Sequence, residues 1–163
     1  MPESIVIAAA RRTPIGGFQG IFSPVSATQL GSFAAAAALA DSGLSPDAID
    51  EVIFGCVLPA GLGQAPARQA AVGAGSGMKA VMLAADQIRA GSARAILAGG
   101  LESMTNAPYL MLKARAGYRM GHAEIYDHMF YDGLQSPWDG KAMGCFADVT
   151  AAKYGFSRAD QDA

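Results

Sequence analysis

Cysteine, histidine and charge are scarce in this chain: of 163 residues two are Cys, two are His and one is Trp, and charged side chains make up 16%. Cys56 and Cys145 stand far apart, and the N-terminus has no basic region leading into a signal core. The sequence therefore gives no disulfide framework and no secretory address. His122 and His128, with Glu124 and Asp127 between them, lack a compact ligand set at a recognised spacing, so no metal site is expected and both read as solvated loop residues. The formal net charge is −2 and the pI about 5.6, so no overall basic field draws the chain to nucleic acid or to an anionic membrane. The longest apolar runs, such as Phe33 to Ala40, are too short to span a bilayer. These absences make the cytoplasm the expected compartment. No G-x-G-x-x-G joins a strand to a helix and no P-loop lysine pattern is present, which makes a nucleotide-binding domain the weakest reading.

Apolar residues make up 52% of the chain, enough to exclude disorder, and the length suits one domain. Strand-like and helix-like blocks alternate. Ile5 to Ala10 reads as strand, Ala27 to Ser42 as helix and Val52 to Val57 as strand; Ala67 to Ala74 and Met78 to Ala90 read as helices and Ala93 to Ala98 as strand. Gly43 and Pro46 punctuate the end of the first helix, and Gly91-Ser92 the end of the third. The pattern predicts an α/β fold with helices layered on a mixed or parallel sheet. From Thr105 onward Pro108, Gly117, Gly121, Gly133, Pro137 and Gly140 break the chain into short pieces, until a last helix begins after Ser157. The expected division is an α/β domain over residues 1–104 and a looser region over 105–163.

The alternation breaks in one place. Between Ala67–Ala74 and Met78–Ala90 two helices meet across a few small residues where a strand is due. Removing an inner strand leaves N–H and C=O groups on its neighbours unpaired, at about 1–3 kcal/mol each when buried. A domain stability of about 5–15 kcal/mol does not absorb many of these. The expectation is that an internal segment is missing between residues 75 and 76, and that the natural polypeptide is longer than this one.

Four ordered blocks carry a family resemblance. They are IVIAAARRTPIGGFQG (Ile5 to Gly20), VIFGCVLPAGLGQAPARQAA (Val52 to Ala71), SGMKAVMLAADQIRAG followed at once by SARAILAGGLESMTNAPY (Ser76 to Tyr109), and AMGCFADVTAAKYGFSRADQDA (Ala142 to Ala163). Together they resemble the N-terminal half of the thiolases, of the acetyl-CoA acetyltransferase type, with the loop domain inserted after residue 104. The resemblance implies acyl transfer between acyl-CoA and coenzyme A or acetyl-CoA, as thiolysis of a 3-ketoacyl-CoA or condensation of two acetyl-CoA through an acyl-cysteine. It implies coenzyme A as substrate with no further cofactor, a role in fatty acid metabolism, and a homo-oligomer, dimer or tetramer.

Such covalent catalysis needs a thiolate. A cysteine at a helix N-terminus gains from the positive end of the macrodipole and from free N–H groups, which lower its pKa below the roughly 8.5 of a free thiol. Ser76-Gly77 before an apolar helix keeps such a platform, and the same residues also suit an ordinary capped core helix. The family's Cys-Gly-Ser-Gly or Cys-Ala-Ser-Gly turn is incomplete here. If Gly75 is the glycine of that turn, Ala74 stands at the nucleophile; if Gly75 ends the upstream helix, the cysteine position just before Ser76 is absent. The activating His and the second Cys of the family belong to its second half and have no counterpart among these residues.

Cys56, in the apolar run Val52 to Leu58, has the setting of a buried small hydrophobe, and Cys145, after Met143-Gly144 at a helix start, is better placed for reactivity. Neither precedes the helix that the family uses. Lys113, Arg115 and Arg119 form a local cationic stretch, suited to the phosphates of coenzyme A or to a solvated helix end. The resemblance implies a cationic loop here that approaches the coenzyme and the face where dimers meet. It also assigns Met120, Leu134 and Met143 to the acyl-CoA pocket, where apolar and adaptable side chains suit the pantetheine arm. Many family members carry His where this chain has Ala142. Two readings follow: part of a thiolase, inert by itself because the nucleophile and later catalytic groups are absent, or a noncatalytic fragment acting in binding or assembly.

Overall fold

The computed structural model describes residues 4–64, 72–74 and 77–163. They fall into two compact units, Met1–Ala107 and Pro108–Ala163.

In the first unit, helix α1 spans Ala27–Ser42. Its alanine run has high helix propensity. The Ser26 hydroxyl accepts from Gln29 N–H while the Gln29 side chain accepts from Ser26 N–H, closing a capping box. Gly43 ends the helix in the left-handed region at φ 70°. Strand β1, Glu51–Gly55, is the centre of a three-stranded sheet, with β2 (Val72–Ala74) on one side and β3 (Ile96–Gly100) on the other, both parallel to it. Helix α2, Gly77–Arg89, connects β2 to β3. Asp50 staples the entry: its carboxylate accepts the N–H groups of Arg94 (2.6 Å) and Ala95 (3.1 Å), locking the start of β1 to that of β3.

The period-2 pleat of β1 sorts the core into two layers. Phe54 faces Ala27 and Leu101, with Ala35, Val52 and Leu97 packed around them. Ile53 faces Ala80 and Ala84 of α2, with Leu83, Ile96 and Ala98. Helices thus cover both faces of the sheet, and the α/β class is as the sequence pattern predicts.

Two expected elements differ. Ile5 to Ala10 forms no ladder with any described strand, and Val6 and Ile7 remain exposed; apolar composition supplies strand propensity, but only a partner makes a strand. The expected helix Ala67–Ala74 is overturned at its end, because Val72–Ala74 pairs with Ile53–Gly55 as a parallel strand. Residues 67–71 of that helix lie outside the described residues. The ladder with β1 outweighs local helix propensity, since it satisfies backbone groups that burial leaves no other partner.

In the second unit, β4 (Tyr109–Leu110) and β5 (Tyr126–Asp127) form a separate antiparallel pair. A π-helical stretch, Met129–Leu134, follows, and a bridge between Gln135 and Ala142 closes the next loop. Helix α3 (Met143–Tyr154) ends at Gly155, and Ser157 caps the short α4 (Arg158–Asp162) through a capping box with Asp160. His128 is a correction: it is 4% exposed, and its Nδ1 lies 2.6 Å from the Asp132 carboxylate. It is a buried, partnered ring rather than a solvated one, because one helical turn returns Asp132 to it. His122 is exposed as expected.

Candidate functional site

Strands β1 and β3 end in register, Gly55 opposite Gly100, and the backbone pairing runs one step further through Leu101 N–H to Gly55 O at 2.9 Å. The first residue of α2 sits against this end. A Cβ on Gly100 would lie 3.2 Å from Gly77 Cα and 3.4 Å from Gly55 O, so helix and strand approach closely enough that a side chain there would push backbone aside by a few tenths of an ångström. Around the three glycines, Cys56, Val57, Leu101 and Glu102 complete an open hollow of about 370 Å³. In an open α/β sheet the carboxyl ends of parallel strands are where ligands bind. Here the N-terminus of α2 adds the positive end of its dipole. The helix end favours a polarised carbonyl, while the Glu102 carboxylate puts a negative charge on the wall of the hollow.

Cys56 lines this hollow but is not a prepared nucleophile. It packs against the cluster of Ala27, Phe54 and Leu101. Its thiol stands 3.7 Å from Glu102 Oε1, as donor to it. Burial first, then the Glu102 charge, push the Cys56 thiol up to about 11. A thiol so placed stays protonated at neutral pH.

Glu102 lines the hollow and is the side chain there that sequence reasoning missed. Its Oε2 accepts Val57 N–H at 2.7 Å and its Oε1 accepts Leu58 N–H at 3.2 Å, in addition to the Cys56 thiol. The signal was a lone carboxylate directly after the apolar run Ala95 to Leu101, on a segment otherwise short of charge.

The expected nucleophile position is next to Gly75 and Ser76, which lie outside the described residues, as does the capping role given to Ser76. Cys145 is exposed in the first turn of α3. In the second unit Leu134 closes the π-helical stretch and Met143 opens α3, so the two flank the Gln135–Ala142 bridge. Met120 is 99% exposed. Lys113, Arg115 and Arg119 are exposed and enter no ion pair among the described residues. No group of three or more His, Cys, Asp or Glu among the described residues is arranged to hold a metal ion. No helix of the described residues is long and apolar enough to cross a membrane.

A parallel sheet covered by helices, with a glycine-walled hollow at a helix N-terminus, defines an α/β domain with an open hollow at its strand ends. The family model described as thiolase, N-terminal domain, matches residues 5–163, and the chain belongs to the thiolase family. Acetyl-CoA acetyltransferase 2 of Arabidopsis thaliana is 45% identical over 176 residues, covering 99% of this chain and 44% of that protein. The acetyl-CoA acetyltransferase of Pseudomonas aeruginosa is 45% identical, over 99% of this chain and 45% of its own length. That of Saccharomyces cerevisiae is 44% identical, over 99% and 45%. The chain thus spans less than half the length of these relatives. The 176 matched positions also exceed the 163 residues of the chain, so the relatives carry residues within the matched span that this chain does not.

Proposed function

We propose that this chain represents the N-terminal part of an acetyl-CoA acetyltransferase-type thiolase, which transfers an acyl group between acyl-CoA and coenzyme A or acetyl-CoA through an acyl-cysteine. The observation that carries the reading is the hollow at the strand ends, walled by Gly55, Gly77 and Gly100 at the N-terminus of α2, in a chain of the thiolase family. The relatives' names, acetyl-CoA acetyltransferase, support the substrate class. In this reading the complete enzyme carries a thiolate just before Ser76, whose negative charge the α2 N-terminus stabilises; it takes the acyl group as a thioester while coenzyme A leaves as its own thiolate. Met120, Leu134 and Met143 serve as apolar contacts for the pantetheine arm, and the cations Lys113, Arg115 and Arg119 draw in the coenzyme's phosphates.

The complete enzyme acts in the cytoplasm as a homo-oligomer, in fatty acid metabolism, with coenzyme A as substrate and no other cofactor. Met78, Val81 and Met82, exposed at helical spacing on α2, support an assembly that covers them. The chain alone is inert, since Cys56 is held protonated and no thiol precedes Gly77 in the block that opens α2.

Two measurements test this. An acetoacetyl-CoA thiolysis assay on the 163-residue chain should give no turnover, and turnover would overturn the missing-nucleophile reading. Titration with coenzyme A should shift the amide signals of Gly55, Gly77 and Gly100; signals that stay put would remove the hollow as the site.

A further inference from the structure

We propose that Glu102 is a positioning residue of the acyl-transfer site: by accepting the N–H groups of Val57 and Leu58 and facing the Cys56 thiol, its carboxylate fixes the segment leaving β1 as one wall of the hollow. The inference rests on the reading of that hollow as the acyl-transfer site. Where β1 ends at Gly55, the ladder that held its backbone stops, and Cys56 to Leu58 need other partners. Glu102, two residues beyond the end of β3, supplies them from the neighbouring strand end. Bonds from N–H groups to a carboxylate are shorter and stronger than neutral ones, so a single side chain holds two consecutive peptides.

The chemistry requires Glu rather than Gln. Both carboxylate oxygens accept, one from each amide, whereas the nitrogen of a carboxamide only donates. Burial first, and then the same carboxylate, keep the neighbouring Cys56 sulfur in its thiol form. A wall of the hollow thereby holds a cysteine that does not compete with the catalytic thiolate for acyl groups.

The test compares the full chain with Glu102→Gln and Glu102→Asp. Amide hydrogen exchange is read at Val57, Leu58 and Leu101, and iodoacetamide alkylation of Cys56 is followed against pH, with Cys145 as internal reference. In Glu102→Gln, exchange at Val57 or Leu58 should quicken by about tenfold, the scale of one lost charge-assisted hydrogen bond. Leu101, whose N–H donates to Gly55 O, should keep its rate. The alkylation profile of Cys56 should move to lower pH while that of Cys145 stays, and Glu102→Asp should retain part of the wild-type profile. Unchanged exchange at Val57 and Leu58 overturns the proposal. Equal acceleration at Leu101 and at both cysteines also overturns it, because Glu102 then supports the fold as a whole. If coenzyme A fails to move Gly55, Gly77 and Gly100 in the wild type, the acyl-transfer reading fails by itself, since neither exchange nor alkylation depends on the coenzyme.

Discussion

Replacing Phe54 by alanine should remove much of the stability of the sheet unit. Phe54 is 4% exposed and joins α1 to the sheet through Ala27 and Leu101. On β3 the ring lies over Gly99, where a Cβ would sit 3.4 Å from the ring carbons, so no side chain there can swing in to fill a void. An aromatic ring of this kind buries about 150–250 Å². At about 25 cal/mol per Å² that amounts to at most about 4–6 kcal/mol, and Phe→Ala substitutions in cores cost about 3–5 kcal/mol. A loss of about 4 kcal/mol is a large share of the roughly 5–15 kcal/mol that holds a typical domain. The assay is urea unfolding followed by far-ultraviolet circular dichroism, with Ile53→Val as a graded control expected to lose about 0.5–1.5 kcal/mol. With a slope of about 2 kcal/mol per M, Phe54→Ala should lower the midpoint by about 2 M. A shift under about 0.5 M at unchanged slope would refute the reasoning, since it would mean that the layer between α1 and the sheet is not held by this ring.

The remaining predictions concern titration. With its pKa pushed up to about 11, Cys56 is about 0.1% thiolate at pH 8, against roughly a quarter for a free thiol. On thiolate fraction alone, its alkylation should be about two hundredfold slower than that of a free cysteine, and a rate within tenfold of free cysteine would contradict the structure. Asp50 is held below its ordinary range by the N–H of Arg94 first, then by that of Ala95. Its folded-state pKa is depressed, so its contribution to stability is present above about 3.9 and is lost as the pH falls through the folded value. The melting temperatures of wild type and Asp50→Asn should therefore differ at pH 7 and converge below pH 3.9; a gap that stays constant with pH would show that the staple is absent.

The long elements were legible because several local signals agreed. The alanine run before Gly43 gave α1 with its ends at Ala27 and Ser42, and the apolar spacing before Gly91 gave α2 to within a residue at each end. Strand β3 was placed, but three residues early at its start, because Asp50 and not the apolar pattern determines where its ladder opens. Strand β2 was illegible: three residues carry no period, and the small residues Gly73 and Ala74 are equally at home at a helix end. Ile5 to Ala10 showed the converse, a strong strand pattern without a ladder partner among the described residues. At the site, the platform of glycines was visible around Gly77, whereas Gly100 and Glu102 matter only through contacts that cross the sheet. His128 was misread because its partners are not its neighbours in sequence: its ring meets the carboxylate of Asp132, four residues on, and its backbone N–H donates to the Pro108 carbonyl.

Strand β2 also separates two consequences of the residues that the relatives carry and this chain does not. A ladder is made of backbone groups, so Val72–Ala74 can occupy the place beside Ile53–Gly55 although the sequence around it favours helix. The unpaired groups expected on that side of β1 are therefore paired over those three residues, and the cost expected there is not incurred. The hollow is built on similar terms, because Gly55, Gly77 and Gly100 shape it through close backbone approach. In the proposed function the thiolate has no such substitute. Of the two cysteines present, Cys56 faces the hollow in the wrong protonation state, held there by burial and by Glu102. A backbone device tolerates changes of sequence that a nucleophile does not, so a glycine-walled hollow stands here although the cysteine that lines it is held as a thiol.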